Sequence, residues 1–233
     1  MRARKKNWVP AELATNPRIA RDPAAFQGRW HEYFGNDHPL DVEIGCGKGR
    51  FIAETARRDS CVNCIAMERE SQVVAQAARL AKTLPAECGL AFVIGDAKDM
   101  PEYFAAGEIR RLYINFCDPW PVRKKWQKRR LTHPNFLRMY RSLFRERGEI
   151  HFKTDNKELF GFSLDAFAEN GWRLRNVTHD LLHSGFANNI MTEYEEKFTL
   201  RGLPIYRCEA YWGNYALTAS NREPTADPHV PGP

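Results

Sequence analysis

Leu40-Asp41-Val42-Glu43-Ile44-Gly45-Cys46-Gly47-Lys48-Gly49 is the stretch on which the reading of this chain turns. LDVEI is short, largely apolar and β-branched, which predicts a strand. Three alternate glycines follow, then a helical pattern with Phe51, Ile52, Thr55 and Ala56 on one face. Glycine lets the backbone turn sharply and approach a ligand closely. The helix start behind it presents free N–H groups to an anion. The spacing is G-x-G-x-G. The dinucleotide fingerprint would need glycine where Arg50 stands, and a P-loop would need Ser or Thr after Gly47-Lys48.

Outward from this loop, strand and helix patterns alternate. Strands are predicted over 62–68, 90–94, 111–116 and 149–154. Helices are predicted over 70–84, over 134–146 with Gly148 as the stop, and over 156–170 ended by Gly171. Two late strands, 172–178 and 204–212, suit an antiparallel pair. Short helical pieces are expected within 1–38, and a polar, proline-rich, disordered tail over 218–233. Alternation of this kind makes a mostly parallel sheet with helices on both faces. Ligands in such sheets bind at the carboxyl ends of the strands. Glu43 lies beside the glycine loop, Glu68 ends the second strand and Asp96 follows the third. Strand, glycine loop, helix, strand, acid, helix, strand, acid is the order of an S-adenosylmethionine pocket. Glu68 would accept hydrogen bonds from ribose hydroxyls, with Asp96 near the base. The plainer alternative is a tight turn with incidental surface acids.

With 233 residues, 43% of them hydrophobic, the chain is long enough for one large α/β domain without disulfide staples. No run approaches a membrane span, and no apolar segment follows the basic start to make a secretory signal. Six cysteines then point to reduced thiols in the cytoplasm. Cys61-x-x-Cys64 has no second pair at zinc spacing, and the seven histidines form no ligand motif, so no metal is expected. His151 reads as a packed core residue. The net charge is only +6, but residues 110–147 hold 12 basic and 2 acidic side chains, while the remainder carries 23 and 27. The net +10 segment sits on a slightly acidic protein and points to a polyanion at one edge of one cleft.

Within that segment, Asn115-Phe116-Cys117-Asp118-Pro119-Trp120-Pro121 follows the fourth strand, where a substrate base would meet a methyl donor. A guanine N7 carries an in-plane lone pair and needs no deprotonation to attack a methyl sulfonium. A carboxylate at Asp118 would stabilise the charge left on the purine and accept its N–H groups. Trp120 could stack on a base or plug the loop edge. Cys117 as a nucleophile toward a pyrimidine is the rival, but no neighbouring base is evident. Arg123, Lys124, Lys125, Lys128, Arg129 and Arg130 come next. They read as a clamp on phosphates, or as a solvated face.

Four segments together carry a resemblance: DVEIGCGKGRF (41–51), NFCDPWP with KRRL (115–121 and 128–131), HFKTDN (151–156) and IMTEYEEKF (190–198). The sequence resembles bacterial tRNA (guanine-N7-)-methyltransferases over roughly 1–216. The resemblance implies the class I methyltransferase fold, a Rossmann-like sandwich of seven mostly parallel strands with the last antiparallel, over 39–217. It implies S-adenosylmethionine as donor, and as target the guanosine at position 46 of the tRNA variable loop. It implies that Glu43, Gly45, Gly47, Gly49, Glu68, Asp96 and Asp118 face the donor, with Asp118 also catalytic. It places Asp155, Thr192, Glu193, Tyr194 and Glu195 against tRNA. The family usually has lysine after the second proline of DPWP. Here Val122 stands there and the segment up to KRRL is one residue longer, so Arg123 takes the role if the extra residue is Val122. Residue chemistry alone also allows Asp155 to be a helix N-cap and Thr192 with Glu195 a capping box. A monomer and a homodimer are both compatible with the sequence.

Overall fold

The strands that decide the architecture are β1 (Leu40–Ile44), β2 (Asn63–Glu68), β3 (Leu90–Ile94), β4 (Ile109–Asn115), β5 (Phe144–Thr154), β6 (Arg173–Thr178) and β7 (Tyr206–Trp212). This computed structural model describes residues 6–85, 87–121 and 123–213, with Lys124 by its backbone alone. The expected tail, the basic start at Arg2, Arg4 and Lys5, and Val122 lie outside them. The sheet order is β3-β2-β1-β4-β5-β7-β6. The first five are mutually parallel, and β7 runs antiparallel between β5 and β6. The expected seven-stranded class I architecture is therefore present.

Helices cover both faces because each strand alternates. Leu40, Val42 and Ile44 of β1 point into a core shared with α7 (Pro134–Leu143) and α8 (Lys157–Glu169). On the other face, α3 (Arg50–Arg58) and α4 (Ser71–Leu80) bury Phe51, Ile52, Val74 and Ala77 against β2 and β3. The N-terminal pieces are α1 (Val9–Thr15), a short 3-10 turn, and α2 (Trp30–Phe34). Ile19 bridges to Phe92 of β3, and Trp30 is buried against Phe104. Short α5 (Met100–Tyr103) and α6 (Lys124–Gln127), with α9 (Glu193–Thr199), complete the α-helices among the described residues.

Two expectations fail, for physical reasons. The helix expected to run to 146 ends at Leu143, and β5 begins at Phe144. Phe144 turns into the core, edge-on to Trp172, and its ring folds back over Gly148. A Cβ on Gly148 would collide with that ring, so the glycine permits a bulge inside a strand instead of stopping a helix. His151 is not a packed core residue either. It belongs to a cross-strand row of charges in which Arg111 reaches Glu149 at 2.7 Å and Arg175 reaches Glu209 at 2.6 Å. His151 itself meets Glu149 at 3.2 Å. Opposite charges facing each other across strands stabilise this pairing beside the buried Tyr113 ring.

Candidate functional site

The carboxyl ends of β1, β2, β4 and β5 build the site. Gly45, Gly47 and Gly49 all hold positive φ, at 72°, 53° and 77°. The N–H groups of Gly45 and Cys46 donate to the Met67 carbonyl, tying the loop to β2. At Gly45 and Gly47 the place of a side chain is open, with nothing within 4 Å. At Gly49 it is filled, because a Cβ would meet Ala77 at 3.1 Å and Phe92 at 3.2 Å. The first two glycines thus leave a cradle, and the third lets α3 pack closely. Gly47 N–H donates to Glu68 Oε2 at 3.3 Å, while Oε1 accepts from the N–H groups of Arg69 and Glu70. Asp96 caps the turn Ala97–Asp99 by accepting from Lys98 N–H, with Arg69 at 3.7 Å.

Glu43 is buried at the end of β1. Asn115 donates from Nδ2 to its Oε1 at 2.8 Å, whereas Glu43 Oε2 and Asn115 Oδ1 have no hydrogen-bond partner. Burial pushes the Glu43 carboxyl up to about 7 against the pull of Asn115, Lys153 and the Ile52 N–H. Two buried acceptors left unpaired side by side are costly unless a donor arrives. They suit a ligand cation such as an amino acid's ammonium. The open glycine cradle, the unpaired Glu43 and Glu68 beside them thus fit the polar end and ribose of S-adenosylmethionine.

The loop after β4, residues 115–121, is held tightly at its start. Phe116, with φ at 52°, donates its N–H to the Lys153 carbonyl at 2.9 Å. Its ring stacks on Tyr194 and Phe198 of α9. A non-glycine residue in this conformation persists only where its surroundings hold it. Burial, then the charges of Asp118 and Asp155, push the Cys117 thiol up to about 12. Cys117 is therefore held as the protonated thiol, and the two carboxylates flank the same loop. Asp118 and Asp155 are exposed and make no hydrogen bond or ion pair among the described residues. Asn156, not Asp155, caps α8, accepting from Leu159 N–H at 2.7 Å. Burial raises the Tyr140 hydroxyl and the charge of Asp96 adds to it, so Tyr140 lies between Asp96 and the loop after β4.

The basic segment divides. Arg123, Lys125 and Lys128 are exposed. Trp120 and Trp126 stack with planes 1° apart, and the Arg129 guanidinium lies 4.8 and 4.5 Å from their ring centres. Trp120 is thus engaged by its neighbours. Arg130 departs from the expected phosphate clamp: it is 1% exposed, donates to the Trp120 carbonyl at 2.7 Å and pairs with Glu158 at 2.8 Å. Its work is to brace the DPWP loop from below.

Thr192 and Glu195 form the capping box of α9, both buried. Glu193 and Tyr194 face outward. Ion pairs Lys48–Glu193 at 3.7 Å and Arg50–Glu196 at 2.5 Å lay α9 across the start of α3. Lys153 is the residue that sequence reasoning passed over. Its ammonium donates to Asn189 Oδ1 at 2.7 Å, the Ile190 carbonyl at 2.9 Å and Glu195 Oε2 at 3.0 Å. The sequence signal was an unpaired lysine in the inward half of an apolar strand, HFKT. Among the described residues no cluster of three His, Cys, Asp or Glu could hold a metal ion, and no helix is long and apolar enough to cross a membrane.

Comparison with known proteins agrees with this geometry. The family model "Putative methyltransferase" matches residues 37–208. A tRNA (guanine-N(7)-)-methyltransferase of Clostridioides difficile (strain 630) is 44% identical over 212 residues, covering 90% of this chain and 98% of that one. The Listeria monocytogenes serotype 4b (strain F2365) protein of the same name is 47% identical, with coverage of 90% and 98%. Among solved structures, an antibiotic-related methyltransferase superposes with a TM-score of 0.58 at 16% identity, covering 80% of this chain and 93% of that one. The 16S rRNA methyltransferase KamB gives 0.58 at 12%, covering 79% and 91%. At such identities these structures speak for the fold alone.

Proposed function

The chain belongs to the tRNA (guanine-N(7)-)-methyltransferase family, and from that premise we propose that it methylates N7 of the guanosine at position 46 in the tRNA variable loop, with S-adenosylmethionine as donor. The observation that carries the donor assignment is the pair of buried, unpaired acceptors, Glu43 Oε2 and Asn115 Oδ1, beside an open glycine cradle. When bound, the donor supplies an electrophilic methyl sulfonium. The protein's residues do the rest. Glu43 and the glycine loop hold the amino-acid end, Glu68 accepts from the ribose hydroxyls, and Asp96 borders the adenine.

Guanine N7 attacks with its own lone pair, so the site needs no general base for it. Asp118, unpaired and exposed at the cleft, accepts the guanine N–H groups and offsets the charge that develops on the purine. Alignment of the two reactants supplies most of the remaining acceleration. Arg123, Lys124, Lys125, Lys128 and the Trp-stacked Arg129 engage phosphates. Asp155, Glu193 and Tyr194 contact the tRNA, with Thr192 and Glu195 setting the shape of their segment. Six free thiols suit the reducing cytoplasm.

The test is transfer of labelled methyl groups to undermethylated tRNA, followed by nucleoside analysis. Label in 7-methylguanosine is expected. Label in 5-methylcytidine, or none, overturns the proposal.

A further inference from the structure

At the carboxyl ends of the strands, four polar side chains form a row across the sheet: Glu43 on β1, Asn115 on β4, Lys153 on β5 and Glu195 on α9. Glu43 and Asn115 share a 2.8 Å hydrogen bond. Asn115 and Lys153 are register partners on adjacent strands. Lys153 and Glu195 form a buried ion pair at 3.0 Å. The lysine carries one positive charge among two buried carboxyl groups, and of these only Glu195 has it by a hydrogen bond. We propose that Lys153 is a positioning residue that couples the two halves of the site, so that a cation arriving on Glu43 strengthens the hold of Lys153 on the tRNA-contacting segment through Glu195. The proposal rests on the donor-and-tRNA reading given above.

The physical argument is competition for one charge. The attraction of Glu43 for Lys153 and that of Lys153 for Glu43 are mutual, and Arg207 pushes the ammonium from the other side. In a buried site such charges are weakly screened. Where Glu43 is ionised and unpaired, as it becomes when pH rises through about 7, Lys153 is drawn toward both carboxylates. With an ammonium on Glu43, that draw is cancelled and Lys153 serves Glu195 alone. Glu195 accepts the Thr192 N–H and the Asn189 amide, so tightening it orders the 189–195 stretch on which Tyr194 and Glu193 stand. Linkage requires the converse: tRNA that orders this stretch holds Lys153 away from Glu43 and favours the donor.

The experiment measures binding of S-adenosylhomocysteine, which keeps the ammonium and cannot react, by calorimetry with and without an unmodified tRNA transcript. Wild type is expected to bind it about 5-fold or more tightly with tRNA present, within the range usual for coupled sites. In Lys153→Met and Glu195→Gln the ratio should fall to near one. Glu195→Gln keeps the side-chain volume and decides the matter if Lys153→Met fails to melt cooperatively. A wild-type ratio of one, or an undiminished ratio in Glu195→Gln, overturns the coupling. If wild type binds no S-adenosylhomocysteine, the donor reading itself fails.

Discussion

Asn115 donates to Glu43 Oε1 at 2.8 Å and leaves the other oxygen of that buried carboxylate without a partner. An ionised carboxylate there is costly until a cation meets it, so the group is raised from its ordinary 4.5 to about 7. The unfolded chain ionises Glu43 near its ordinary value, whereas the fold retains the proton. The stabilisation from the retained proton is complete below about 4.5 and is lost as pH rises to about 7. A shift of this size amounts to about 3 kcal/mol. Thermal melts of the ligand-free protein and of Glu43→Gln between pH 5 and pH 8 should diverge, wild type losing stability relative to the variant. Parallel curves would mean that Glu43 is not held neutral.

Gly47→Ala and Gly49→Ala should separate binding from packing. Both impose a side chain on a left-handed backbone, at about 1 kcal/mol. Gly49→Ala adds a contact of 3.1 Å with Ala77, so its melting temperature should fall further. Gly47→Ala faces open space and should instead weaken S-adenosylhomocysteine, read by calorimetry, by at least 10-fold. Equal effects of both on both readouts would remove the cradle.

Arg130 and the lysines near it should respond oppositely to salt. Lys125→Ala with Lys128→Ala should leave the melting temperature in place and reduce the slope of log affinity for tRNA against log salt by roughly 1 to 2. Arg130→Met strands the Trp120 carbonyl and should destabilise by about 2 kcal/mol, with the salt slope unaltered. A changed slope in Arg130→Met would return that residue to the phosphate contacts.

Much of this was legible in advance, and the failures share a cause. Period-two and period-three-to-four patterns mark the strands and helices, and the three alternate glycines mark the open cradle after β1. Arg130 looked like its neighbours because composition carries no depth; only the packing of the loop on α8 buries it. Lys153 and Glu195 are 42 residues apart in sequence and meet only in the fold, where α9 lies against β5. Gly148 was read as a helix stop because glycine usually is one, while the aromatic ring that requires it sits four residues earlier in the chain.

Cys117→Ala should retain turnover within about 3-fold, because the thiol raised to about 12 stays protonated and has no covalent step to perform. Loss of all transfer, with folding intact by melting, would reopen nucleophilic chemistry at this loop.

The claim that guanine N7 is the attacking atom is tested most directly by single-turnover transfer to a tRNA transcript carrying 7-deazaguanosine at the target position. That substitution replaces the lone pair with C–H and leaves unchanged the base edge proposed to meet Asp118. The account predicts that the modified transcript binds like the natural one and takes no label at that position, while the natural one yields 7-methylguanosine. Equal labelling of both would contradict it.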